Sequence, residues 1–374
     1  MEILSSQVEK LQSILESIEE KLHRNMAALN SKSSHIAKEG VYDDNSYDCW
    51  TSGFWPGMLW VMYDITLKDE YKNAAWDWDE KIEKVYLTEN KFHHDVGFQF
   101  LPSAVIKYKI TGDQDAGRRG LFAANFLAGR FNLAGNFIRA WNQPERIGWS
   151  IIDTSMNLSL LFWASAESGD PRFKHIAVAH ADTVLRDFIR EDGSVKHIVC
   201  FDAVTGAVVD EEGGQGYGPG SSWSRGQAWA IYGMANTYKS TGDLKYLKGA
   251  QRVANYFIAC LPEDSIPYWD FRLPSNIGQP RDTSAAACAA SGMLEIAACL
   301  SEVEGLIYKK SAEKILFSLA ENYSTFDKPE DEGLLTCATS NKPNNVGVNV
   351  SLIYGDYFFI EGICKLLGWK RNIF

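Results

Sequence analysis

Two kinds of helix alternate along this chain, and the share of apolar positions distinguishes them. Residues 2–30 predict an amphipathic helix, because apolar side chains recur at helical spacing on one face only. The next segment, 50–65, is apolar almost all round, and a more polar helix follows it to about Leu87. This alternation predicts pairs that each join one buried helix to one partly exposed helix.

The same pair recurs along the chain, with a short polar link inside each pair. The links at 111–113, 168–170 and 240–243 all end in Gly-Asp. Glycine supplies the left-handed residue that ends one helix, and the aspartate caps the next. The further apolar helices are expected at 96–110, 154–167, 223–239, 283–300 and 351–367, with polar partners that end near Phe131, Arg190, Cys260 and Tyr323.

Twelve helices, six of each kind, imply an array of repeated hairpins. The last apolar helix, 351–367, has no following partner, and the first helix, 2–30, has no preceding one. Packing these two together completes a sixth pair and closes the array into a ring. We therefore expect an all-α (α/α)6 toroid, formed as a single domain over residues 1–374 although the length alone suggests roughly two. An open solenoid is the alternative.

The connecting segments differ in length by direction. Links from an apolar to a polar helix are very short, whereas the return links at 31–49, 131–150, 191–222, 261–282 and 324–350 are long. All long links must lie at one end of the ring, and long ordered loops tend to carry function. We expect a β-hairpin of 194–200 with 207–210, and a second pairing of 136–141 with 146–151.

Three charged residues stand at helix starts at that same end. Asp153 precedes the apolar helix at 154–167, Asp95 precedes the one at 96–110, and Arg225 lies between two tryptophans near the start of a third. Each aspartate alone is typical of a helix N-cap. Two carboxylates, a guanidinium and several indoles at equivalent places indicate instead a carbohydrate-binding site.

Composition narrows the range of partners. A net charge of −11 disfavours nucleic acid and anionic membranes. The N-terminus lacks a basic segment followed by an apolar one, and no apolar run reaches the ~18 residues of a membrane span. Seven cysteines without paired spacing indicate free thiols in a reducing cytoplasm. We expect no cofactor and no metal, since no second cluster of ligand residues accompanies the His-His-Asp run at 93–95.

The individual motifs, taken together, resemble the unsaturated glucuronyl hydrolases of glycoside hydrolase family 88. The motifs are His-His-Asp-Val-Gly-Phe at 93–98, Ile-Ile-Asp-Thr-Ser-Met-Asn at 151–157, His197, the glycine-rich run and its continuation at 214–229, and Gly-Asp-Tyr-Phe-Phe at 355–359. Each is weak alone, but the set covers essentially the whole chain. The family fold is an (α/α)6 barrel, in agreement with the helix count above.

The resemblance implies roles for particular residues. Asp153 is expected to be the catalytic acid and base, and Asp95 its partner, which either tunes Asp153 or binds sugar hydroxyls. The sugar pocket is expected to be lined by Trp50, His94, His197, Gln215, Trp223, Arg225 and Trp229. Arg225 offers a planar fork for a carboxylate.

The implied substrate is an unsaturated uronyl di- or oligosaccharide left by a polysaccharide lyase. Its terminal uronic acid carries a C4=C5 double bond, which is an enol ether because the ring oxygen is attached at C5. A carboxylic acid can protonate C4, and water can then add at C5. This differs from the two-carboxylate schemes of most glycosidases.

The segment 337–342 partly matches a Ser-x-x-Ser-x-Lys sulfate-binding pattern of some family members. Ser340 and Lys342 match, whereas Cys337 replaces the first serine, and Gly213 and Gly214 stand near the position of an expected arginine. Partial sulfate recognition is the expectation, and an ordinary loop with a solvent-facing lysine is the alternative.

Two rival functions remain open at this point. One is an unsaturated rhamnogalacturonyl hydrolase that acts on pectin fragments by the same chemistry. The other is a non-catalytic toroid that binds sugars or partner proteins, which the fold alone does not exclude. A monomer or weak homodimer is expected.

Overall fold

Six apolar helices stand side by side and are wrapped by the more polar ones. The computed structural model describes residues 2–88 and 91–374. In chain order the helices are α1 (Glu2–Leu29), α2 (Phe54–Thr66), α3 (Asp69–Ala75), α4 (Trp78–Thr88), α5 (Val96–Phe100), α6 (Ile106–Thr111), α7 (Gln114–Ala128), α8 (Thr154–Ser168), α9 (Pro171–Thr183), α10 (Ser224–Thr241), α11 (Leu244–Ala259), α12 (Thr283–Ala298), α13 (Glu302–Asn322) and α14 (Ile353–Leu366).

The inner helices form a closed ring. From α2 the contacts run through α5 and α6 to α8, α10, α12 and α14, and α14 packs back against α2. The outer helices α3, α7, α9, α11 and α13 each pack on an inner neighbour, and α1 packs on α14. The predicted (α/α)6 toroid is therefore confirmed, including its closure by the first helix, and the open solenoid is wrong.

Two of the predicted helices are broken. The polar helix after α2 is divided into α3 and α4, which are separated at Trp76 and Asp77. The inner helix expected at 96–110 contains a π-helical turn, Leu101–Val105, between α5 and α6. Pro102 lies in this turn and cannot donate the hydrogen bond that a regular helix requires, which explains the break.

Short strands occupy the long links at the end of the ring where the inner helices begin. The pairs are β1 (Ala37–Lys38) with β2 (Val41–Tyr42), β3 (Phe131–Asn132) with β4 (Phe137–Ile138), and β8 (Ala338–Asn341) with β9 (Val346–Val350); β5 (Trp149–Ile151), β6 (Ile198–Phe201) and β7 (Val208–Glu212) form one sheet. This end is called the mouth of the ring below, and the opposite end its base.

One predicted strand pairing is correct and one is wrong. The hairpin of 194–200 with 207–210 is confirmed as β6 and β7. The pairing of 136–141 with 146–151 does not form as a strand pair, because β4 pairs with β3 and β5 pairs with β6. The two segments still meet, since the Ala140 amide donates to the Trp149 oxygen at 2.8 Å. Gly148 explains the choice of partner. A Cβ there would lie 1.8 Å from the carbonyl oxygen of Phe201, so only glycine lets the two segments approach.

Gly233 provides a test of how tightly the ring is packed. A Cβ at this position of α10 would lie 2.6 Å from the backbone of Ser155 in α8. We expect Gly233→Ala to lower the free energy of unfolding by about 1–3 kcal/mol, because overpacking outweighs the ~0.5–1 kcal/mol gain in helix propensity. Urea denaturation measures the difference. Gly129→Ala, where the added Cβ meets ordinary contacts at 3.4 Å, is the control and should cost little.

Candidate active site

Asp153 lies directly before α8 at the mouth, but its side chain does not cap the helix. Asp113, Asp170, Asp243 and Asp282 precede α7, α9, α11 and α12, and each accepts an amide hydrogen of the helix that follows. The carboxyl group of Asp153 makes no such bond and is only 8% exposed. The N-cap alternative therefore does not account for this residue.

Asp95 precedes α5 in the same manner and also makes no cap bond. Asn157 connects it to Asp153, since its amide nitrogen lies 3.2 Å from Asp95 Oδ1 and 3.2 Å from the backbone oxygen of Asp153. Asp95 is 7% exposed. The two carboxyl groups thus share one buried environment at the start of neighbouring inner helices.

Burial raises the pKa of both acids. The pKa of Asp153 is raised from 3.8 to about 7 by loss of hydration, against the opposing effects of Arg225, its own backbone amide and the Trp229 indole. Burial also raises the pKa of Asp95 well above 3.8, and the charge of Asp153 raises it further, while the bond from Asn157 and the charge of Arg130 oppose. The pair therefore keeps a proton near neutral pH.

Two buried histidines flank the acids. His94 Nδ1 lies 2.9 Å from Thr154 Oγ1, and its Nε2 lies 3.5 Å from Asp95 Oδ2. His197 Nε2 lies 3.7 Å from Asp153 Oδ2. Burial lowers the pKa of His94 well below 6.5 and that of His197 to about 3, so both rings are neutral and leave the acids without a nearby imidazolium.

Arg225 is held inside the protein by several partners. Its Nη1 donates to Asp282 Oδ2 and to the Thr339 oxygen, both at 2.7 Å, and its Nη2 donates to the Ser340 oxygen at 2.6 Å. The guanidinium also lies 4.4 Å from the centre of the Trp223 ring. The group fixes strand β8 and acts on Asp153 through its charge, and it does not present two free nitrogens as a fork.

The remaining predicted residues differ in exposure. Trp229 is fully buried and Trp223 is 2% exposed, whereas Trp50 and Gln215 are half-buried. Gln215 bridges two parts of the site, because its backbone amide lies 3.0 Å from His197 Nδ1 and its side chain donates to the Ser340 oxygen at 2.7 Å. These contacts join His197 to strand β8 through Gln215.

Lys342 is the member of the predicted set that stands apart. It follows β8 and is half-buried, and its ammonium group has no hydrogen bond or ion pair with the described residues. The structure therefore leaves a cation near the mouth without a protein partner.

Trp141 joins Trp149 in an aromatic pair at the mouth, and no signal in the sequence pointed to Trp141. Trp141 and Trp149 are half-buried, with ring centres 6.0 Å apart, and Arg146 lies 5.2 Å and 5.0 Å from the two rings. Trp149 stands four residues before Asp153 on β5, so its position in the strand was the available signal. For Trp141 there was no such signal in the sequence, because only the folded chain brings it close to Trp149.

The ring and the site at its mouth together have the features of a carbohydrate-processing enzyme. The site combines a buried carboxyl group that holds its proton near neutral pH, a second carboxyl group, neutral imidazoles and aromatic walls. The chain belongs to Glycosyl Hydrolase Family 88, whose model matches residues 18–328.

Two relatives illustrate the family. The unsaturated glucuronyl hydrolase of Bacillus sp. (strain GL1) is 34% identical over 355 residues, which cover 92% of this chain and 93% of the relative. Its crystal structure superimposes with a TM-score of 0.92 at 33% identity, covering 95% of this chain and 96% of that one. The unsaturated chondroitin disaccharide hydrolase of Streptococcus agalactiae serotype III (strain NEM316) is 35% identical over 84% of this chain and 81% of its own.

A further solved structure is that of a complex with a ligand. It is a mutant of the unsaturated glucuronyl hydrolase from Streptococcus agalactiae complexed with dGlcA-GalNAc6S. It matches with a TM-score of 0.84 at 30% identity and covers 97% of this chain and 93% of that one.

The raised pKa of Asp153 predicts the direction in which the stability of the protein changes with pH. Folding raises this pKa from 3.8 to about 7, so the neutral acid is the form that the native state favours. Its contribution to stability is present at acid pH and is lost as the pH rises through about 7. The free energy of unfolding of the wild type, measured relative to Asp153→Asn, should therefore fall between about pH 4 and about pH 7 and change little above that range.

Carbon-13 NMR of labelled aspartate carboxyl groups tests the same value directly. The signal that disappears in Asp153→Asn should titrate with a midpoint near pH 7. A midpoint near pH 4 would contradict the dominance of burial.

Proposed function

We propose that this protein is an unsaturated glucuronyl hydrolase. It releases the 4,5-unsaturated uronic acid from the non-reducing end of lyase-generated, glycosaminoglycan-type oligosaccharides. The named activities of relatives that are 34% and 35% identical over most of the chain support this proposal. The observation that carries it is the buried Asp153 carboxyl group, which caps no helix and has a pKa raised to about 7.

The proposed reaction uses Asp153 twice. Its proton goes to C4 of the substrate, and the electrons of the C4=C5 bond form the new C4–H bond. The positive charge left behind is shared by C5 and the ring oxygen. Water adds at C5 and returns one proton to the Asp153 carboxylate. The resulting hemiketal opens and expels the remaining saccharide, so the acid is regenerated.

The pair of acids suits this sequence of steps. A proton donor at neutral pH needs a raised pKa, and burial of the Asp153 carboxyl group supplies it. Asp95 is proposed to bind sugar hydroxyls and to favour the protonated partner, since two nearby carboxylates ionise less readily than one. His94, His197 and Gln215 are proposed to bind the uronic acid, Trp50 and Trp229 to form the pocket wall, and Trp223 and Arg225 to position the others.

Substrate range is proposed to follow from the segment after β8. The relative complexed with dGlcA-GalNAc6S supports a uronyl saccharide as the partner. Ser340 uses its backbone oxygen to hold Arg225 and Gln215, and Lys342, whose ammonium group has no partner among the described residues, is a cation available to a sulfate. Unsulfated disaccharides are proposed to be accepted well, with Lys342 modulating sulfated ones.

The proposed compartment is the cytoplasm, and the proposed assembly is a monomer or weak homodimer. All seven cysteines are free thiols, which agrees with a reducing environment. Within residues 2–88 and 91–374, none of the helices has the length and hydropathy needed to traverse a bilayer.

Asp153→Asn tests the proton donor. The amide cannot deliver a proton to C4, so we expect turnover to fall by about 10²–10⁴-fold or more with substrate binding retained. Loss of the ultraviolet absorbance of the conjugated C4=C5 bond follows the reaction. Comparable decay rates for the variant and the wild type would refute the assignment. A saturated aryl glucuronide is the control substrate and should not be cleaved, since it offers no double bond to protonate.

Lys342→Ala tests sulfate recognition. We expect kcat/KM for a 6-sulfated unsaturated chondroitin disaccharide to fall about two- to fivefold, as ~0.5–1 kcal/mol for an exposed charge pair implies. The value for the matched unsulfated disaccharide should not change. Lys370→Ala, at the base of the ring, is the control. A strong preference for the sulfated form that survives Lys342→Ala would place sulfate binding elsewhere.

A further inference from the structure

Three consecutive residues before α5 bring side-chain atoms that can bind a metal close together. His93 Nδ1, His94 Nε2 and Asp95 Oδ2 all lie within 4.8 Å of one another, and Asp95 Oδ2 is 3.5 Å from each nitrogen. Ligand atoms bound to Zn²⁺ at about 2.0–2.1 Å are about 3.4 Å apart in a tetrahedral site. Two of the three edges of such a site are therefore already at the required length.

His94 supplies an independent sign of a ligand. The residue is fully buried, and its Nε2 has no hydrogen-bond partner within residues 2–88 and 91–374. Its Nδ1 lies 2.9 Å from Thr154 Oγ1, which can accept the Nδ1 proton and leave the lone pair on Nε2. In metal-binding histidines, a hydrogen bond from the ring nitrogen that does not bind the metal fixes the tautomer and the orientation of the ring.

His93 makes the trio accessible. Its ring stacks on that of His94 with centres 5.3 Å apart, and its side chain is 24% exposed, compared with 10% for Asp95. An ion can therefore arrive from the mouth without crossing the core. Two imidazoles and one carboxylate suit zinc, cobalt or nickel, whereas magnesium prefers an all-oxygen set.

We infer that His93, His94 and Asp95 form an inhibitory binding site for a divalent transition metal such as Zn²⁺, with the fourth position left to water. The bound ion takes up the carboxylate of Asp95, which is proposed above to bind sugar hydroxyls. The carboxylate that the ion occupies is then not available to the substrate. Binding is independent of the proposed function, whereas the inhibition rests on it.

Titration calorimetry with Zn²⁺ on EDTA-treated protein tests binding without any turnover. The wild type should bind one Zn²⁺ per chain, and His93→Gln should bind it about tenfold or more weakly, because a ligand has been removed. His175→Gln, on the exposed side of α9, is the matched control and should bind as the wild type does. Mg²⁺ should give no binding. Equal Zn²⁺ affinity in wild type and His93→Gln, or no binding to the wild type, would overturn the site.

Hydrolysis of an unsaturated disaccharide tests inhibition. Zn²⁺ should suppress the wild-type rate, EDTA should restore it, and His93→Gln should need about tenfold or more Zn²⁺ for the same fractional loss of its own rate. Zinc that binds at the trio without slowing the wild type would overturn the inhibitory role. If the untreated protein hydrolyses no unsaturated substrate, the proposed function fails, while the calorimetric result still decides the metal site.

Discussion

The contact between the starts of α5 and α8 is the constraint on which the active site depends. Asn157 occupies this contact, and its side chain accepts from the Phe98 amide at 2.9 Å while it donates to Asp95 Oδ1 at 3.2 Å. Gly97 permits the approach, because a Cβ there would lie 2.4 Å from Asn157 Oδ1. The two acids are thus held by the backbones of neighbouring inner helices, and their separation does not depend on flexible loops.

Burial and charge compete at this place, and burial prevails. Arg225 lowers the pKa of Asp153, yet the net shift is upward to about 7. The arginine is itself paired with Asp282 at 2.7 Å, which reduces the positive field that reaches Asp153. Asp282 also accepts hydrogen bonds from the backbone amides of Ser284 and Ala285 at the start of α12. One carboxylate therefore caps a helix and also neutralises a buried guanidinium. Because burial outweighs the charge of Arg225, the Asp153 carboxyl group can hold a proton near neutral pH.

The sequence predicted the ring because helical periodicity and link length are local signals. Closure, the crowding of long links at one end and the convergence of Asp95, Asp153 and Arg225 all followed from them. The pairing of β5 with β6 was not predictable, since it depends on Gly148 meeting Phe201, a residue more than fifty positions away. The contacts of Arg225 with Thr339 and Ser340 were not predictable for the same reason, because more than a hundred residues separate them from Arg225 along the chain.

The ring also separates a buried ion-pair network at its base from an exposed, charged turn at its mouth. At the base, the inner and outer helices are joined by very short links, and Lys365 binds Glu295 and Glu361 in a buried network. At the mouth, Lys342 lies between β8 and β9, where β8 is fixed by Arg225 on its inner side and the following residues are exposed. Under the proposed function, a substitution in that exposed turn would change the surface offered to the second sugar without moving Asp153, because the acid is positioned by α5, α8 and β6. Preference for the leaving saccharide could then vary on this scaffold while the proposed chemistry at Asp153 stayed the same.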